Sequence, residues 1–474
     1  MTRLPSFKAL LSVGVAGLTL AACAVGPKAP DTVIPPAASG AFISAPGSTA
    51  VTAAEARDDW WRLYADPVLD GLIAQAFAEN NQLEAAEANL RAVRASLSEA
   101  RAGRFPTTGL SGSATRSQGS AATSPTGTQL PEADTYSVGL DASYEIDLFG
   151  RVGSSIRAAR ADADAQAAAL DVIRVSVAAE TARAYADACS ANAQIAVAER
   201  TLALQQNTAD LTQRLLEGGA GTGLDTARAQ AALAQTRATL PSLRASRDGA
   251  VYRLATLTGR TPVEASEAAR SCARPPQLTQ PIPIGDGAAL LARRPDVRQA
   301  ERALAAAAAR VNVATASLYP TISLGGSFGS TALDAGELGD DENFRFSFGP
   351  LISWSFPNIA VARARIAQTG ALTEAALATF DQTVLSALQE TETALTNYAN
   401  ELDRRAALTE ARDQAATAAR LSRLRFDAGA DNFLTVLDSE RTLAGADAAL
   451  AQSDALVTTY QIAVFKALAG GWEA

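Results

Sequence analysis

Apolar and polar residues alternate strictly along two stretches of this chain and fall at helical spacing over most of the rest. From residue 136 onward, Tyr136, Val138, Leu140, Ala142, Tyr144, Ile146 and Leu148 share one side, while Ser137, Gly139, Asp141, Ser143, Glu145 and Asp147 take the other. Phe344, Phe346, Phe348, Ile352, Trp354 and Phe356 repeat the pattern, opposed by Arg345, Ser347, Gly349, Ser353 and Ser355. A period of two predicts strands. Weaker alternation precedes each, at Leu110 and Ala114 and then at Ile322, Leu324 and Phe328. Two β-hairpins are therefore expected, at about 107–148 and 321–356. Alternation over about ten residues suits a strand with lipid on one side and water on the other. An ordinary half-buried sheet has the same period. Four strands cannot close a barrel, and an open edge in hydrocarbon costs several kcal/mol per unpaired backbone group. The membrane reading thus requires copies to combine, two giving about eight strands and three about twelve.

The helical stretches are long. Residues Arg151 to Gly218 hold no proline and no glycine between Gly153 and Gly218, which predicts a helix of about 100 Å at ~1.5 Å per residue. Ala360 to Ala428 is comparable, with only Gly370 inside it. Shorter pieces are expected at Gly71 to Ala102 and at Leu224 to Thr258, the latter interrupted by Pro241 and Gly249. Such helices bury one stripe each and must pack along neighbours. A soluble coiled coil would share the helices but has no need of a hairpin before each long one.

The two halves also match each other. Glu87-Ala88-Asn89-Leu90 aligns with Glu301-Arg302-Ala303-Leu304, and Arg104-Phe105-Pro106 with Leu318-Tyr319-Pro320, at an offset of 214. Beyond one local length difference the offset is 210: Tyr144 falls on Trp354, Glu180 on Glu390 and Gly219 on Gly429. Each half reads as helix, two strands, long helix, turn, helix.

At the N-terminus, Arg3 and Lys8 precede an apolar run from Ala9 to Ala22, too short to span a bilayer and fit for a signal peptide. Leu20-Ala21-Ala22-Cys23 ends it, in the pattern of a bacterial lipobox in which Cys23 is lipidated and begins the mature chain; a plain signal peptide with a chance cysteine is the alternative. The formal charge is −9, from 41 basic and 50 acidic residues, and loss of Arg3 and Lys8 would make it −11. An acidic chain without a basic stripe is a poor partner for nucleic acid. Histidine is absent, which removes Ser-His-Asp and Cys-His catalysis and most zinc sites. The Gly218-Gly219-Ala220-Gly221-Thr222-Gly223 run lacks the lysine and preceding strand of a phosphate loop, and is read as a turn. No enzyme and no cofactor are expected.

Five motifs in order give the chain a resemblance. They are Cys23-Ala24-Val25-Gly26-Pro27; Trp60-Trp61, Tyr64, Asp66-Pro67 and Leu69, followed by Asn81 and Leu83; Glu145-Ile146-Asp147-Leu148-Phe149-Gly150-Arg151; Arg294-Pro295-Asp296-Val297; and Asp431 through Asp438. Together they resemble the TolC-like outer-membrane efflux proteins, in their NodT-type, OprM-like lipoprotein branch. The resemblance implies a mixed architecture, a membrane β-barrel plus a long α-helical barrel, with two internal repeats per chain. It implies a homotrimer whose twelve-stranded barrel continues into a periplasmic helical barrel about 100 Å long. The divisions expected are a signal peptide at 1–22, a lipid-anchored segment at 23–70, a first repeat at 71–260, a linker at 261–295, a second repeat at 296–469 and a tail at 470–474. The repeats contain long helices at 151–218 and 360–428, followed by helices at 224–258 and 432–469. An equatorial domain would draw on residues 30–70, 262–295 and the C-terminus near Trp472, with Pro275, Pro276, Pro281 and Pro283 favouring a linker outside the helices.

The partners implied are a periplasmic adaptor (membrane-fusion) protein, an inner-membrane pump of the RND type and outer-membrane lipid. The function implied is a passive exit duct. A polypeptide-secretion channel and a lipid-anchored structural coiled coil are the alternatives. Cys23 would carry the lipid. Residues Gly218, Gly219, Ala220, Gly221, Thr222, Gly223 and Leu224, with Ala428, Gly429, Ala430, Asp431, Asn432 and Phe433, would be the adaptor-docking tips. Leu434 and Asp438, four apart and hence on one helix face, would form an apolar and an acidic ring closing the pore. Thr435 and Asp431 depart from the TolC pattern, which has an acid and an arginine there, so the bonds latching the tips are expected to differ. In an oxidising periplasm the two cysteines left after lipidation, Cys189 in the middle of the long helix and Cys272 in the equatorial linker, would pair as a disulfide; two unpaired thiols are the alternative.

Overall fold

A computed structural model describes residues 25–44, 50–123, 125, 127–129, 131–278, 280–355 and 359–470. Cys23, Phe356 and Trp472 lie outside them. The chain divides into two compact units, one of Met1–Thr32, Asn89–Gln166 and Gln299–Asp381, the other of Val33–Ala88, Ala167–Arg298 and Gln382–Ala474.

The elements in chain order are β1 (Val51–Thr52), α1 (Pro67–Glu79), α2 (Asn81–Ala102), β2 (Thr107–Ser117), β3 (Ala133–Ile146), α3 (Arg151–Glu217), α4 (Gly223–Leu257), α5 (Glu267–Ser271), β4 (Ile282–Pro283), α6 (Gly287–Arg293), α7 (Pro295–Ala316), β5 (Thr321–Ala332), β6 (Phe344–Ser353), α8 (Ile359–Asp427) and α9 (Phe433–Ala467). Corresponding helices agree in length: α2 and α7 have 22 residues each, α4 and α9 have 35 each, and α3 and α8 have 67 and 69.

In the first unit a four-stranded antiparallel sheet runs in the order β2-β3-β5-β6. The hairpin of each half thus joins the other through β3 and β5, leaving β2 and β6 as edges. The Glu145-to-Arg151 motif turns the chain from β3 into α3. Arg151 pairs with Glu145 across the turn, and the Asp147 carboxylate accepts from the N–H groups of Val152 at 3.0 Å and Gly153 at 2.7 Å. A carboxylate there satisfies donors that a helix start leaves unpaired. Leu97, Val152, Ile156 and Ala163 pack together beside it.

The second unit is centred on aromatic packing. Trp60 is fully buried and stacks on Phe465, with centroids 4.8 Å apart and planes at 13°. Asp66 caps α1 through the N–H groups of Val68 and Leu69 and also accepts from the Tyr185 hydroxyl at 2.9 Å. Burial and that carboxylate push the Tyr185 hydroxyl well above its ordinary pKa. Arg294 is buried, donating to Asp296, to Glu390 at 2.8 Å and to the Ala467 carbonyl at 3.0 Å. These contacts give the Trp60 and Arg294 motifs structural roles. β1 and β4 pair in parallel. The Sγ atoms of Cys189 and Cys272 are bonded, with Cα atoms 5.1 Å apart.

Two elements differ from expectation. The helix expected from Gly71 to Ala102 is two helices, divided at Asn80. The Asn80 side chain accepts from the N–H groups of Gln82 and Leu83 to start α2 and donates to the Leu257 carbonyl at 2.8 Å. By contrast, α4 runs unbroken through Pro241. A proline frees the carbonyl four residues back, here that of Arg237, and both residues are exposed, so water can satisfy it. Just past the Thr258 cap that ends α4, Gly259 has φ +69°, and an added Cβ there would lie 2.3 Å from the Glu79 carbonyl oxygen.

Candidate functional site: an exposed apolar sheet face and two helix turns

The strand register gathers the apolar residues of the first unit into rows. Leu110 faces Leu140, Leu140 faces Phe328 and Phe328 faces Phe346, so one row crosses all four strands. Beside it run Val138, Ser330 and Phe344, then Ala142, Gly326 and Phe348, and Ile146, Ile322 and Ile352. Most of this face is uncovered in the protomer: Leu110 is 81% exposed, Phe346 79% and Phe348 76%. On the other face Asp141, Ser327 and Ser347 form a row, and serine hydroxyls pair across strands, Ser113 with Ser137 at 2.8 Å and Ser327 with Ser347 at 2.7 Å. Leu351 breaks the pattern, falling in register with Ser323 and Glu145 on the polar face. Leaving a Phe or Leu side chain in water forgoes about 1.5–3 kcal/mol, and contiguous exposure of this kind marks a surface meant for lipid or another protein.

The second unit holds the two turns, built alike. After α3, the Ala220 N–H bonds the Leu215 carbonyl at 2.8 Å and the Gly219 N–H bonds that of Leu216 at 3.0 Å. After α8, Ala430 and Gly429 bond the carbonyls of Arg425 and Phe426 at 2.8 and 2.9 Å. This is a Schellman closure, which needs a left-handed residue; Gly219 and Gly429 supply it with φ of +74° and +70°. Thr222 and Asn432 then cap α4 and α9. Phe433 turns inward, edge-on to Phe426 at 5.9 Å and against Ala229 and Leu233 of α4.

Leu434 is exposed one residue further on, as is Asp438 a turn later. Asp438 accepts from Arg441 at 3.0 Å, a neighbour the sequence reading passed over. Asp431 accepts from Arg425 at 3.2 Å and from the Thr435 hydroxyl at 3.4 Å. The two positions that depart from the TolC pattern are therefore bonded to each other within one turn. Two residues beyond Asp438 is another residue that sequence reading missed. Glu440 is 5% exposed, accepts from Thr208 of α3 at 2.9 Å and from Arg423 of α8 at 3.4 Å. Burial raises its carboxyl pKa, against the opposing pull of Thr208 and Arg423. Spacing alone tells only that Glu440, two residues from Asp438, lies on a different side of α9, not that other helices cover it.

Among the described residues no helix is long and apolar enough to cross a membrane, and no group of Cys, Asp and Glu could hold a metal ion.

Comparison with known proteins agrees with this geometry. The family described as outer membrane efflux protein matches residues 72–260 and 288–470. The outer membrane protein OprJ of Pseudomonas aeruginosa is 30% identical, over 99% of this chain and 97% of its own. The toluene efflux pump outer membrane protein TtgC of Pseudomonas putida is 30% identical over 98% of this chain and 96% of its own. The solved outer-membrane channel OprN superposes with a TM-score of 0.90 at 35% identity, covering 95% of this chain and all of the other. With both halves matched and whole-length relatives of the same kind, the chain belongs to the outer membrane efflux protein family.

Proposed function

We propose that this chain is the outer-membrane exit duct of a tripartite efflux system, working as a homotrimer. The observation that carries the reading is the row Leu110–Leu140–Phe328–Phe346, exposed on a sheet with two open edges. An apolar face of that kind suits lipid, and the opposite face, with Ser113, Asp141, Ser327 and Ser347, suits a wet lumen. Hydrocarbon does not tolerate the free backbone groups of β2 and β6. Pairing β6 of one chain with β2 of the next removes both edges, and three chains close a ring of about twelve strands.

The helices then carry the lumen into the periplasm, and the duct performs no chemistry of its own. The turns at Gly218–Leu224 and Ala428–Phe433 are the surface for a periplasmic adaptor, with an inner-membrane pump supplying energy. Leu434 and Asp438 narrow the closed end. OprJ and TtgC, named as outer-membrane and toluene efflux pump proteins, support the efflux reading, and the pump selects the cargo. Acylation of Cys23 adds an anchor, each buried CH₂ contributing ~0.8 kcal/mol. Intact mass of the mature protein should show the acyl increment, and its persistence in a Cys23→Ser protein would refute the assignment.

The duct itself is tested in a strain stripped of its own exit channels but supplied with the cognate adaptor and pump. Expression should restore efflux, and cross-linking should trap a trimer. A folded, membrane-inserted protein that restores no efflux would overturn the proposal.

A further inference from the structure

The geometry points to a binding site for a compact oxyanion of charge two or more, in a cavity of the second unit that the duct reading does not use. The cavity, ≈ 590 Å³, is within the size range of small-molecule sites. One wall is a face of α3 on which Ser190, Ala193, Val197 and Arg200 recur at spacings of three and four; the small side chains leave the space and Arg200 ends it. Arg405 of α8 and Asp454 of α9 also line it. Arg274, Pro275 and Gln277 of the linker complete it.

The charges do not balance. Asp454 is taken by Arg405, Nε to Oδ1 at 2.5 Å. Arg200 and Arg274 have no hydrogen-bond or ion-pair partner among the described residues. Three guanidinium groups against one carboxylate leave a net charge of +2 in the lining of a chain whose formal charge is −9. Guanidinium forks match carboxylate and phosphate oxygens in pairs.

Arg274 has an exposed side chain, but the backbone on either side of it is held in place. Two residues before it, Cys272 is bonded to Cys189, and the Asn192 side chain donates to the carbonyls of Arg270 and Cys272, both at 2.9 Å. After it come two buried prolines, and the Pro276 carbonyl accepts from Thr458 at 3.3 Å. A ligand here meets a backbone already ordered, which lowers the entropy cost of binding. Phosphate-type and dicarboxylate ions share the required chemistry.

Calorimetric titration of the purified full-length protein at low ionic strength, with pyrophosphate in one arm and glutarate in the other, tests the site. Saturable binding of one ion per chain is expected in at least one arm, and the arm that responds identifies the ligand type. Arg200→Gln or Arg274→Gln should weaken it about tenfold or more, the double variant should abolish it, and Arg237→Gln on exposed α4 should leave it unchanged. A reading on unaltered protein accompanies this: the bound ion should protect Arg274 from an arginine-selective dione reagent, scored by peptide mass. No saturable binding in either arm, undiminished binding in the double variant, or no protection of Arg274 would overturn the site.

Discussion

Glu440 and Asp438 are two residues apart on α9 and live in different solvents. Asp438 is exposed beside Arg441, whereas Glu440 is enclosed by Thr208 and Arg423. Burial holds the Glu440 proton to higher pH than the ordinary value of 4.5. As pH rises through that value the unfolded chain loses this proton while the native chain keeps it, so native stability from this residue falls with pH until the buried site ionises. Glu440→Gln should therefore gain on the parent protein as pH rises from about 4.5 towards neutrality, read as the difference in thermal midpoint across a pH series. A difference that stays constant with pH would refute the linkage. The disulfide makes a second residue-level prediction. Denatured, unreduced protein should present no reactive thiol from Cys189 or Cys272, and Cys272→Ser should lower stability by about 2–4 kcal/mol. Two labelled thiols per chain would exclude the bond. The cysteines were legible as candidates because so few were left to pair. Glu440 was not, since nothing in its spacing says which neighbouring helices close over it.

At the level of elements, the hairpins and long helices were legible because each has a clean period, two or 3.6, sustained over many residues. The division at Asn80 was not, because its cause is a side chain reaching the Leu257 carbonyl far along the chain. Leu351 was not legible, because a single leucine on the polar face interrupts the period of two and only the register with Ser323 and Glu145 assigns it a side. The continuity of α4 through Pro241 depended on exposure, which sequence does not state. The glycine turns were visible as composition, and their identical closure emerges only from the backbone. An added Cβ at Gly219 or Gly429 meets nothing within 4 Å, so the cost of a substitution there is chiefly left-handed strain, about 1–2 kcal/mol per residue and more for a β-branched side chain. Gly219→Val with Gly429→Val should leave assembly intact and abolish export, whereas Asn at both, which tolerates positive φ, should retain more activity. Full export by the valine protein, measured as dye efflux, would remove the turns from adaptor docking.

At the level of the molecule, the gate proposal concerns a ring rather than a residue. Three copies of Asp438 around an axis would attract cations, and the Arg441 beside each tempers the field. Replacing Leu434 and Asp438 with Ala should raise single-channel conductance in a planar bilayer and relieve block by multivalent cations; unchanged current would place the constriction elsewhere. The two open edges of the β2-β3-β5-β6 sheet carry a further consequence, one of inheritance. Each chain would lend an edge to both neighbours, so a proline-riddled β6 spoils every ring it enters. Expressed equally with an intact copy, such a gene would leave only about one ring in eight free of it, and its loss of function would be genetically dominant.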